Sequence, residues 1–450
     1  MSKATDVVVR EVFCSFESVP FRTPLKFGGR IMDRTTLVNI DVRVETKSGK
    51  KGSGAGSMPI GSVWAWPSAV MTPEQTDAAM RVFAEDIVDL ANAFGVFCHP
   101  LDLLTHLSGE FDHQAKQLAK KHKQAEPAPV LAQLVATSAL DAALHDAYGR
   151  VHGLNCFDTL TSKFMNHDLS EYLDATFKGE YLDKYTSRQP RAKLPLYHLV
   201  GALDPLTPAD VSKKVGDGLP EALIDWVKTE GLTHLKIKLA GDDLAWDVAR
   251  VLAVEAAVTE AKKGVTRPEW VYSLDFNEKC GSVEYVLDFF AKVRAASPAA
   301  YDRVQYVEQP THRDLAAHPE NKMHAAAKLK PVVIDESLVD YDSLLLAREL
   351  GYSGVALKAC KGHGESLVLA AAAQKLGMFL CVQDLTCPGA SFLHSASLAS
   401  RIPGVVAIEG NGRQYCPSAN APWKKLVPSM FKITDGTVGT EALTGPGLGF

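Results

Sequence analysis

The stretch THLKIKLAG, residues 233–241, sets two lysines into what is otherwise an apolar segment. Lys236 and Lys238 alternate with leucine and isoleucine, and a period of two residues is typical of a β-strand. Both lysines therefore point to one face of a strand whose flanks are typical of a buried element. Two ammonium groups side by side in such a strand predict a functional site.

Similar short apolar stretches continue along the chain, with a helix-like segment between successive ones. They are KLPLYHLVG (193–201), THLKIKLAG (233–241), EWVYSLDFNE (269–278), RVQYVEQP (303–310), KPVVIDES (330–337), GVALKACKG (354–362), GMFLCVQD (377–384) and GVVAIEGNG (404–412). Strands that alternate with helices predict a parallel sheet, and eight such units predict a closed α/β barrel. A doubly wound sheet is the competing topology, and the number of units favours the barrel.

The first third of the chain has a different pattern, which is typical of an α+β domain. Residues 6–17 and 35–46 alternate like two antiparallel strands, with a Gly-Gly loop between them at 24–34. Residues 50–68 are rich in Gly and Ser and contain Trp64 and Trp66, which predicts a long loop that acts as a lid.

Two helices are expected in the same domain. One covers 72–94, with Thr72 as its N-cap, and the other covers 129–153 and ends at Gly153. We therefore expect four parts, listed here in chain order: an N-terminal α+β domain (1–162), an inter-domain excursion (163–193), the barrel (194–414) and a segment that returns to the first domain (415–450).

Composition excludes several classes of function. The chain has 450 residues and a formal net charge of −5, so it lacks the basic footprint of a nucleic-acid-binding protein. No apolar run reaches the roughly 18–20 residues that a membrane span requires. The N-terminus lacks the apolar core of a signal peptide, and the eight cysteines form no C-x-x-C pair. We expect a cytoplasmic protein with reduced thiols and without nucleic-acid or membrane partners.

Polar side chains occur where the predicted barrel strands end. In strand order from the second to the eighth these are Lys236 and Lys238, Asp275, Glu308, Asp335, Lys358, Asp384, and Glu409. The carboxyl ends of barrel strands meet at one rim, which is where such enzymes have their active sites.

Three of these carboxylates, Asp275, Glu308 and Asp335, come from consecutive strands. Oxygen ligands of this kind suit Mg²⁺, with water and substrate completing the coordination. A single aspartate here would be interpreted as a helix N-cap, but three on neighbouring strands favour a metal site.

The lysines fit the same interpretation. Two inward ammonium groups beside a divalent cation disfavour each other's charge, so we expect the pKa of one to fall towards the operating pH, where it can act as a general base. The alternative is a solvated edge strand with both side chains extended to water. That alternative does not explain why Lys358 lies at the corresponding end of another strand.

The order of these residues closely resembles the enolase superfamily, in particular its muconate-lactonizing subgroup within the mandelate racemase/muconate lactonizing enzyme family. The matching segments are KIK (236–238), LDFNE (274–278), VEQP (307–310), IDES (334–337), LKACKG (357–362) and the capping-domain helix SALDAALHDAYGRVHGLNCFDTL (138–160). The resemblance covers nearly the whole chain.

The resemblance implies an N-terminal capping domain, a modified (β/α)₇β barrel and one essential Mg²⁺ that binds the substrate carboxylate. It implies that Asp275, Glu308 and Asp335 hold the metal. Lys238 and Lys358 would be acid/base catalysts on opposite faces of the α-carbon, and Lys236 would assist Lys238 and the enolate. We expect a small-molecule carboxylate substrate and association into a homo-oligomer.

Three features depart from subgroups of the family. Lys358 replaces the His-Asp pair of mandelate racemases, which argues against that subgroup. The sixth loop reads KGHGES where a Gly-Gly pair is usual, which places His363 near the rim. The eighth strand carries Glu409-Gly-Asn411 where dipeptide epimerases have Asp-x-Asp, which argues against a dipeptide substrate.

The leading hypothesis is an isomerase that removes the proton α to a carboxylate, as a racemase or epimerase does. Cycloisomerisation or β-elimination by a lyase is the alternative, and a non-catalytic, metabolite-binding barrel is a second one. Asp384 is either a substrate contact or a structural cap. The expected substrate contacts are Asn277, Asp384, Glu409, Asn411, Trp64 and Phe27, the last from the loop that contains Gly28 and Gly29.

Overall fold

A computed structural model describes residues 2–27, 30–266 and 268–450. The predicted loop glycines Gly28 and Gly29 lie outside the described residues. The N-terminal domain contains strands β1 (Val7–Phe27), β2 (Arg30–Thr46) and β3 (Lys51–Pro59) and helices α1 (Ser62–Ala65), α2 (Pro73–Ala93), α3 (Pro100–Lys121) and α4 (Val130–His152). The three strands form one antiparallel sheet in the order β1-β2-β3. Both predicted strands are confirmed, but they extend through residues 24–27 and 30–34, where the sequence predicted a loop.

Both predicted helices of this domain are also present. Helix α2 begins after Thr72, whose side chain accepts a hydrogen bond from the backbone N–H of Gln75 in a capping box. Helix α4 ends at Gly153, whose positive φ of 68° suits a glycine. Helix α3 was not predicted from the sequence.

The prediction of a loop over residues 50–68 is wrong. Residues 51–59 form β3, which pairs with β2 along its length. Gly54 and Gly56 face α4 so closely that a Cβ on Gly56 would lie 2.0 Å from the carbonyl oxygen of Ala139. The glycines therefore serve the close packing of a helix on a strand, and they do not indicate flexibility.

The second part of the chain is a parallel barrel. Its strands are β4 (Lys193–Val200), β5 (His234–Lys238), β6 (Val271–Asp275), β7 (Val304–Glu308), β8 (Val332–Ile334), β9 (Gly354–Leu357), β10 (Phe379–Val382) and β11 (Val405–Glu409). Successive strands pair in parallel, and β11 pairs with β4, which closes the sheet. The predicted capped barrel is confirmed, and the doubly wound alternative is wrong because such a sheet has two open edges.

Helices connect the barrel strands on the outside. They are α5 (Leu223–Glu230), α6 (Leu244–Ala261), α7 (Val283–Ala296), α8 (Pro298–Asp302), α9 (His324–Ala327), α10 (Tyr341–Glu349), α11 (His363–Lys375) and α12 (Ala390–Arg401). The register between strands positions the predicted site residues. Lys238 is paired with Asp275, and Asp275 with Glu308, so these three residues form one row across β5, β6 and β7.

The remaining segments join the two parts. Residues 163–192 are irregular apart from short 3₁₀ turns, yet Phe177 and Leu182 are buried. The tail contains α13 (Gly412–Tyr415), α14 (Ala421–Leu426), α15 (Pro428–Phe431) and β12 (Thr437–Gly439). Strand β12 pairs with β4 of the barrel, and the backbone N–H of Leu448 donates to Asp146 of α4 at 2.9 Å.

Helix α4 is the most deeply embedded helix of the N-terminal domain. Most of its residues are buried, and the few that are not lie mainly at its two ends.

In the described part of the chain, no helix combines the length and apolarity needed to cross a membrane. All eight cysteines lie in described residues, and all are free.

Candidate active site

A cavity of about 650 Å³ lies between the barrel rim and the N-terminal domain. Its lining includes most of the residues predicted from the sequence: Lys236, Lys238, Asn277, Asp335, Lys358, Asp384, Glu409 and Asn411 from the barrel, and Phe27 and Trp64 from the N-terminal domain. Asp275 and Glu308 do not line it and are fully buried. Both parts of the chain therefore build this one cavity.

Lys236 is the centre of a buried ionic network. Its Nζ lies 2.9 Å from Glu308 Oε1, 3.1 Å from Glu409 Oε2, 3.2 Å from Asp275 Oδ2 and 2.7 Å from Gln383 Oε1. Burial alone would lower the pKa of Lys236, but the surrounding carboxylates, first Glu308, raise it well above its usual value. The sequence does not show how many acids surround Lys236, so this rise in its pKa was not predictable from it.

Lys238 faces the cavity next to Lys236. Its Nζ donates to Asp275 Oδ2 at 2.5 Å and to Asn277 Oδ1 at 3.2 Å. Asn277 has a positive φ of 46°, and its backbone N–H donates to Asp275 Oδ1 at 2.8 Å. The ring of Phe27 lies over the ammonium group, with 4.6 Å between Nζ and the ring centroid. Asn277 and Phe27 thus contact the proposed base.

Lys358 lies on the other side of the cavity. Its Nζ is 2.7 Å from Asp335 Oδ2 and 4.2 Å from the ring centroid of Trp64. Burial would lower the pKa of Lys358, but Asp335 outweighs it and the net pKa is raised.

Two contributors to this network were not foreseen from the sequence. Lys361 reaches Asp335 from a second direction, with Nζ 3.2 Å from Oδ1 and 2.5 Å from the backbone carbonyl. Gln383 bridges Lys236 and Glu308, and its Nε2 is 2.5 Å from Glu308 Oε2. The sequence held two signals for these residues: the spacing Lys-x-x-Lys in KACK, and the position of Gln383 next to Asp384 at a strand end.

The acids of the site differ in the direction of their pKa shifts. Burial raises the pKa of Glu308 well above its usual value, and nearby Asp275 raises it further. Burial also raises the pKa of Glu336 and that of Asp384 to about 7 each, with Asp335 and Glu409 as the next causes. Asp275 behaves differently: Lys238 and Lys236 outweigh its burial and lower its pKa to about 2.

The residues at the ends of the seventh and eighth strands differ in how their side chains are hydrogen-bonded. Asp384 accepts hydrogen bonds from the backbone N–H groups of Cys387, at 2.7 Å, and Asn411, at 2.8 Å, as a structural cap does. Glu409 is engaged by Lys236 and by the side-chain amide of Asn411. The Oδ1 atom of Asn411 is buried without a hydrogen-bond partner although the residue lines the cavity. Of these residues, Asn411 has an acceptor oxygen without a partner.

The tryptophans of the expected lid are fixed in place. Trp64 Nε1 donates to Glu336 Oε1 at 2.9 Å, and Trp66 Nε1 donates to Glu126 Oε1 at 2.7 Å. Both side chains are almost completely buried. Trp64 therefore forms a wall of the cavity.

Residues 219–450 match the family model described as enolase C-terminal domain-like. The chain belongs to the enolase superfamily. The match covers more than half of the chain and contains seven of the eight barrel strands, so the family recognised from the sequence motifs is confirmed. No curated protein matches the chain.

Solved structures of this superfamily resemble the chain over nearly its whole length. The L-Ala-D/L-Glu epimerase from Bacillus subtilis is 17% identical, with a TM-score of 0.63 and coverage of 98% of each chain. The 2-chloromuconate cycloisomerase from Rhodococcus opacus 1CP is 19% identical, with a TM-score of 0.62 and coverage of 98% of this chain and 96% of that one. A dipeptide epimerase from Enterococcus faecalis V583, solved with Mg and a dipeptide, is 16% identical, with a TM-score of 0.61 and coverage of 98% and 99%. At these identities the similarity establishes the shared fold.

The residue types of the site fit the Mg²⁺ that this superfamily implies. Asp275, Glu308 and Asp335 supply carboxylate oxygens from three adjacent strands, which is the kind of donor set that Mg²⁺ prefers. In the structure, these three carboxylates form ion pairs with lysine side chains. Among residues 2–27, 30–266 and 268–450, no three His, Cys, Asp or Glu side chains are placed so that they could hold an ion as they stand.

His363, the residue that departs from the family pattern in the sixth loop, does not line the cavity. It is completely buried where α11 meets the N-terminal domain. Its Nδ1 lies 2.8 Å from Nε2 of His394, and its ring packs against that of His145 on α4. The position expected near the rim is therefore wrong, and the residue belongs to the interface between the two domains.

Proposed function

We propose that this chain is a Mg²⁺-dependent isomerase that removes the proton α to the carboxylate of a small substrate and can return a proton to either face. Such an enzyme is a racemase or an epimerase. The observation that carries the proposal is the placement of Lys238 and Lys358. Strand β5, which ends in Lys238, is separated from β9, which precedes Lys358, by three strands in each direction round the closed sheet: β6, β7 and β8 one way, and β10, β11 and β4 the other.

The two lysines thus enter one cavity from opposite walls, and a substrate carbon between them would have a proton carrier on each side. A 1,1-proton transfer uses both lysines, one at each face, and is therefore our leading proposal, although the same residues could also run a cycloisomerisation. A non-catalytic barrel would need neither lysine.

The surrounding residues prepare these lysines for proton transfer. Each forms an ion pair with an aspartate, Lys238 with Asp275 and Lys358 with Asp335. To accept a proton, a lysine must first lose its carboxylate partner and its own proton. The partners are two of the three acids proposed to hold Mg²⁺, so metal binding and release of the lysines involve the same side chains.

Bound Mg²⁺ would supply positive charge for the substrate carboxylate and for the negative charge that grows on it as the proton leaves. Lys236, which sits among three acids, adds positive charge at the same place. Phe27 and Trp64 cover the two ammonium groups and keep water away from them. Asn411 Oδ1 can accept a hydrogen bond from an N–H or O–H group of the substrate.

The test is exchange of the α-proton in D₂O, followed by NMR on a panel of carboxylates with and without Mg²⁺. Because the similar structures include epimerases of dipeptides and a cycloisomerase, the panel should hold N-acyl amino acids, dipeptides and muconates. We expect Mg²⁺-dependent exchange together with loss of optical activity, and no exchange by the Lys238→Ala/Lys358→Ala double variant. Binding of a carboxylate without any exchange of its proton would instead support the non-catalytic alternative.

A further inference from the structure

The helix that follows Lys358 is capped by the other domain. Helix α11 begins at His363, and its N-cap residue, Gly362, has no side chain to satisfy the first backbone N–H groups. Asp141 of α4 takes this role, because its Oδ2 accepts a hydrogen bond from the backbone N–H of Gly364 at 2.9 Å. A carboxylate at the start of a helix is also favoured by the helix dipole. The N-terminal domain therefore holds the first turn of α11.

That turn is tied directly to Lys358. Ser366 Oγ, in the first turn of α11, donates to the backbone carbonyl of Lys358 at 2.9 Å. The same carbonyl accepts the backbone N–H of Lys361 at 2.9 Å. Two hydrogen-bonded steps thus connect Asp141 to the backbone of the proposed acid/base lysine, and a shift of the α11 turn would move both Lys358 and Lys361.

The contact between Asp141 and this turn is close and dry. Asp141 is only 5% exposed, and a Cβ on Gly362 would lie 2.8 Å from its Oδ2. Gly362 also has a positive φ of 115°, so the chain at this point needs a glycine. His145 Nδ1 is hydrogen-bonded to the backbone carbonyl oxygen of Asp141 at 3.1 Å and lies 2.8 Å from its Oδ1.

Lys238, on the opposite wall, is held in a different way. Asp247 of α6, within the barrel, accepts the backbone N–H groups of Ala240 at 2.6 Å and Gly241 at 3.0 Å, just after Lys238. One aspartate therefore supports the turn after each lysine, but only the turn after Lys358 depends on the N-terminal domain.

We propose that Asp141 is a positioning residue for Lys358, acting across the domain interface, so that proton transfer at one substrate face depends on how the two domains are joined. This inference rests on the proposed function. It predicts a selective effect. Loss of Asp141 should impair the face served by Lys358, whereas loss of Asp247 should impair the face served by Lys238.

The experiment compares Asp141→Ala, Asp247→Ala and Asp146→Ala. Asp146 lies on the same helix as Asp141 and is buried, but its hydrogen bonds go to Ala55, Arg150 and Leu448. The substrate enantiomer served by each lysine is assigned as the one whose α-proton exchange is lost when that lysine is replaced by alanine.

For the enantiomer served by Lys358, we expect Asp141→Ala to slow exchange by about 10- to 100-fold, the loss that a small misplacement of a catalytic group produces. Exchange of the other enantiomer should change much less. Asp247→Ala should show the reverse selectivity, and Asp146→Ala should show no selectivity. Asp141→Asn keeps an acceptor oxygen, so it should slow exchange of the same enantiomer by a smaller factor than Asp141→Ala does. If Asp141→Ala does not fold, Asp141→Asn is used in its place.

A second readout does not depend on catalysis. Backbone amide hydrogen exchange, measured by mass spectrometry, should become faster in the segment 358–366 of the Asp141 variants and stay unchanged in the segment 234–242. Equal losses at both faces, or unchanged amide exchange in 358–366, would overturn the positioning role. If the wild-type chain exchanges no α-proton, the proposed function fails, and amide exchange alone then decides whether Asp141 holds this turn.

Discussion

Trp64 lies over the ammonium group of Lys358, with 4.2 Å between Nζ and the ring centroid. Phe27 lies over Lys238 in the same way, at 4.6 Å. Both distances are within the roughly 6 Å at which a cation is attracted by an aromatic face. The N-terminal domain therefore places one aromatic ring against each proposed acid/base lysine. Residues of the cavity wall thus contact the groups that we propose transfer protons.

The anchoring of Trp64 gives a prediction about stability. Trp64→Phe keeps a ring near Lys358 but removes the N–H that Glu336 Oε1 accepts, while Glu336 Oε2 already has no hydrogen-bond partner. We expect the free energy of unfolding, measured in urea, to fall by about 1–3 kcal/mol, the penalty for a buried polar group left unpaired. Trp66→Phe is the control, because its partner Glu126 is only partly buried and can turn to water. Equal losses in the two variants would contradict this account of Glu336.

A second prediction concerns the packing of β3 on α4. Gly56→Ala would bring a methyl group within 2.0 Å of the Ala139 carbonyl oxygen, so strand and helix would have to separate. We expect the variant to lose about 1–3 kcal/mol of unfolding free energy, as overpacked cores do. Ser53→Ala, at an exposed position of the same strand, should leave the unfolding midpoint unchanged. A Gly56→Ala variant as stable as Ser53→Ala would show that the interface adapts.

The same strand shows what the sequence alone could not reveal. The barrel was predictable because each strand is a short apolar run and each candidate residue stands at its end, so local pattern and function coincide. GSGAGS resembles a flexible loop in isolation. It is a strand because α4, more than 80 residues further along the chain, packs against its glycines.

The state of the lysines was also not predictable from the sequence. Pattern places Lys236 and Lys238 on one face, but the acids that raise the pKa of Lys236 come from β6, β7 and β11. Asp141, in the N-terminal domain, lies more than 200 residues before the Gly364 N–H that it accepts. Both results depend on contacts between distant segments, for which a single sequence holds no local signal.

A third prediction concerns pH. Burial, followed by the proximity of Glu409, raises the pKa of Asp384 to about 7. An aspartate in the unfolded chain titrates near pH ~4, so the folded state binds this proton more tightly and stability falls as the pH rises between the two values. Asp384→Asn cannot ionise. Measured by urea unfolding, its stability relative to wild type should therefore rise from pH 4 to pH 7 and level off above.

The control for this experiment is Asp33→Asn. Asp33 is exposed, and hydrogen bonding to Arg34 lowers its pKa, so its contribution changes only at more acidic pH. Its stability relative to wild type should be flat from pH 4 to pH 7. The same flat profile for Asp384→Asn would mean that Asp384 is ionised throughout that range.

A fourth prediction tests the metal ligands. Glu308→Gln removes one of the three anionic groups while keeping the size of the side chain. We expect Mg²⁺ affinity, measured by calorimetry, to fall by at least about 10- to 100-fold, since the loss of even a supporting contact to a ligand has an effect of that size. Glu336→Gln is the matched control: it is a buried acid at the same rim, outside the proposed ligand set, and its amide oxygen can still accept from Trp64. Equal affinities in the two variants would remove Glu308 from the ligand set.

The last prediction concerns the three lysines together. Because Lys238 and Lys358 lie on opposite walls of the cavity, Lys358→Ala should abolish racemisation but leave exchange of the α-proton of one enantiomer, and Lys238→Ala should leave exchange of the other only. Lys236→Ala should slow both, because it removes positive charge from beside the base and leaves three buried acids without their common partner. Exchange is followed by NMR in D₂O, and thermal unfolding of each variant separates lost chemistry from lost structure. If Lys238→Ala and Lys358→Ala both retained turnover at both faces, neither lysine would be the proton carrier. The lysines would then act only as a positively charged clamp for the substrate.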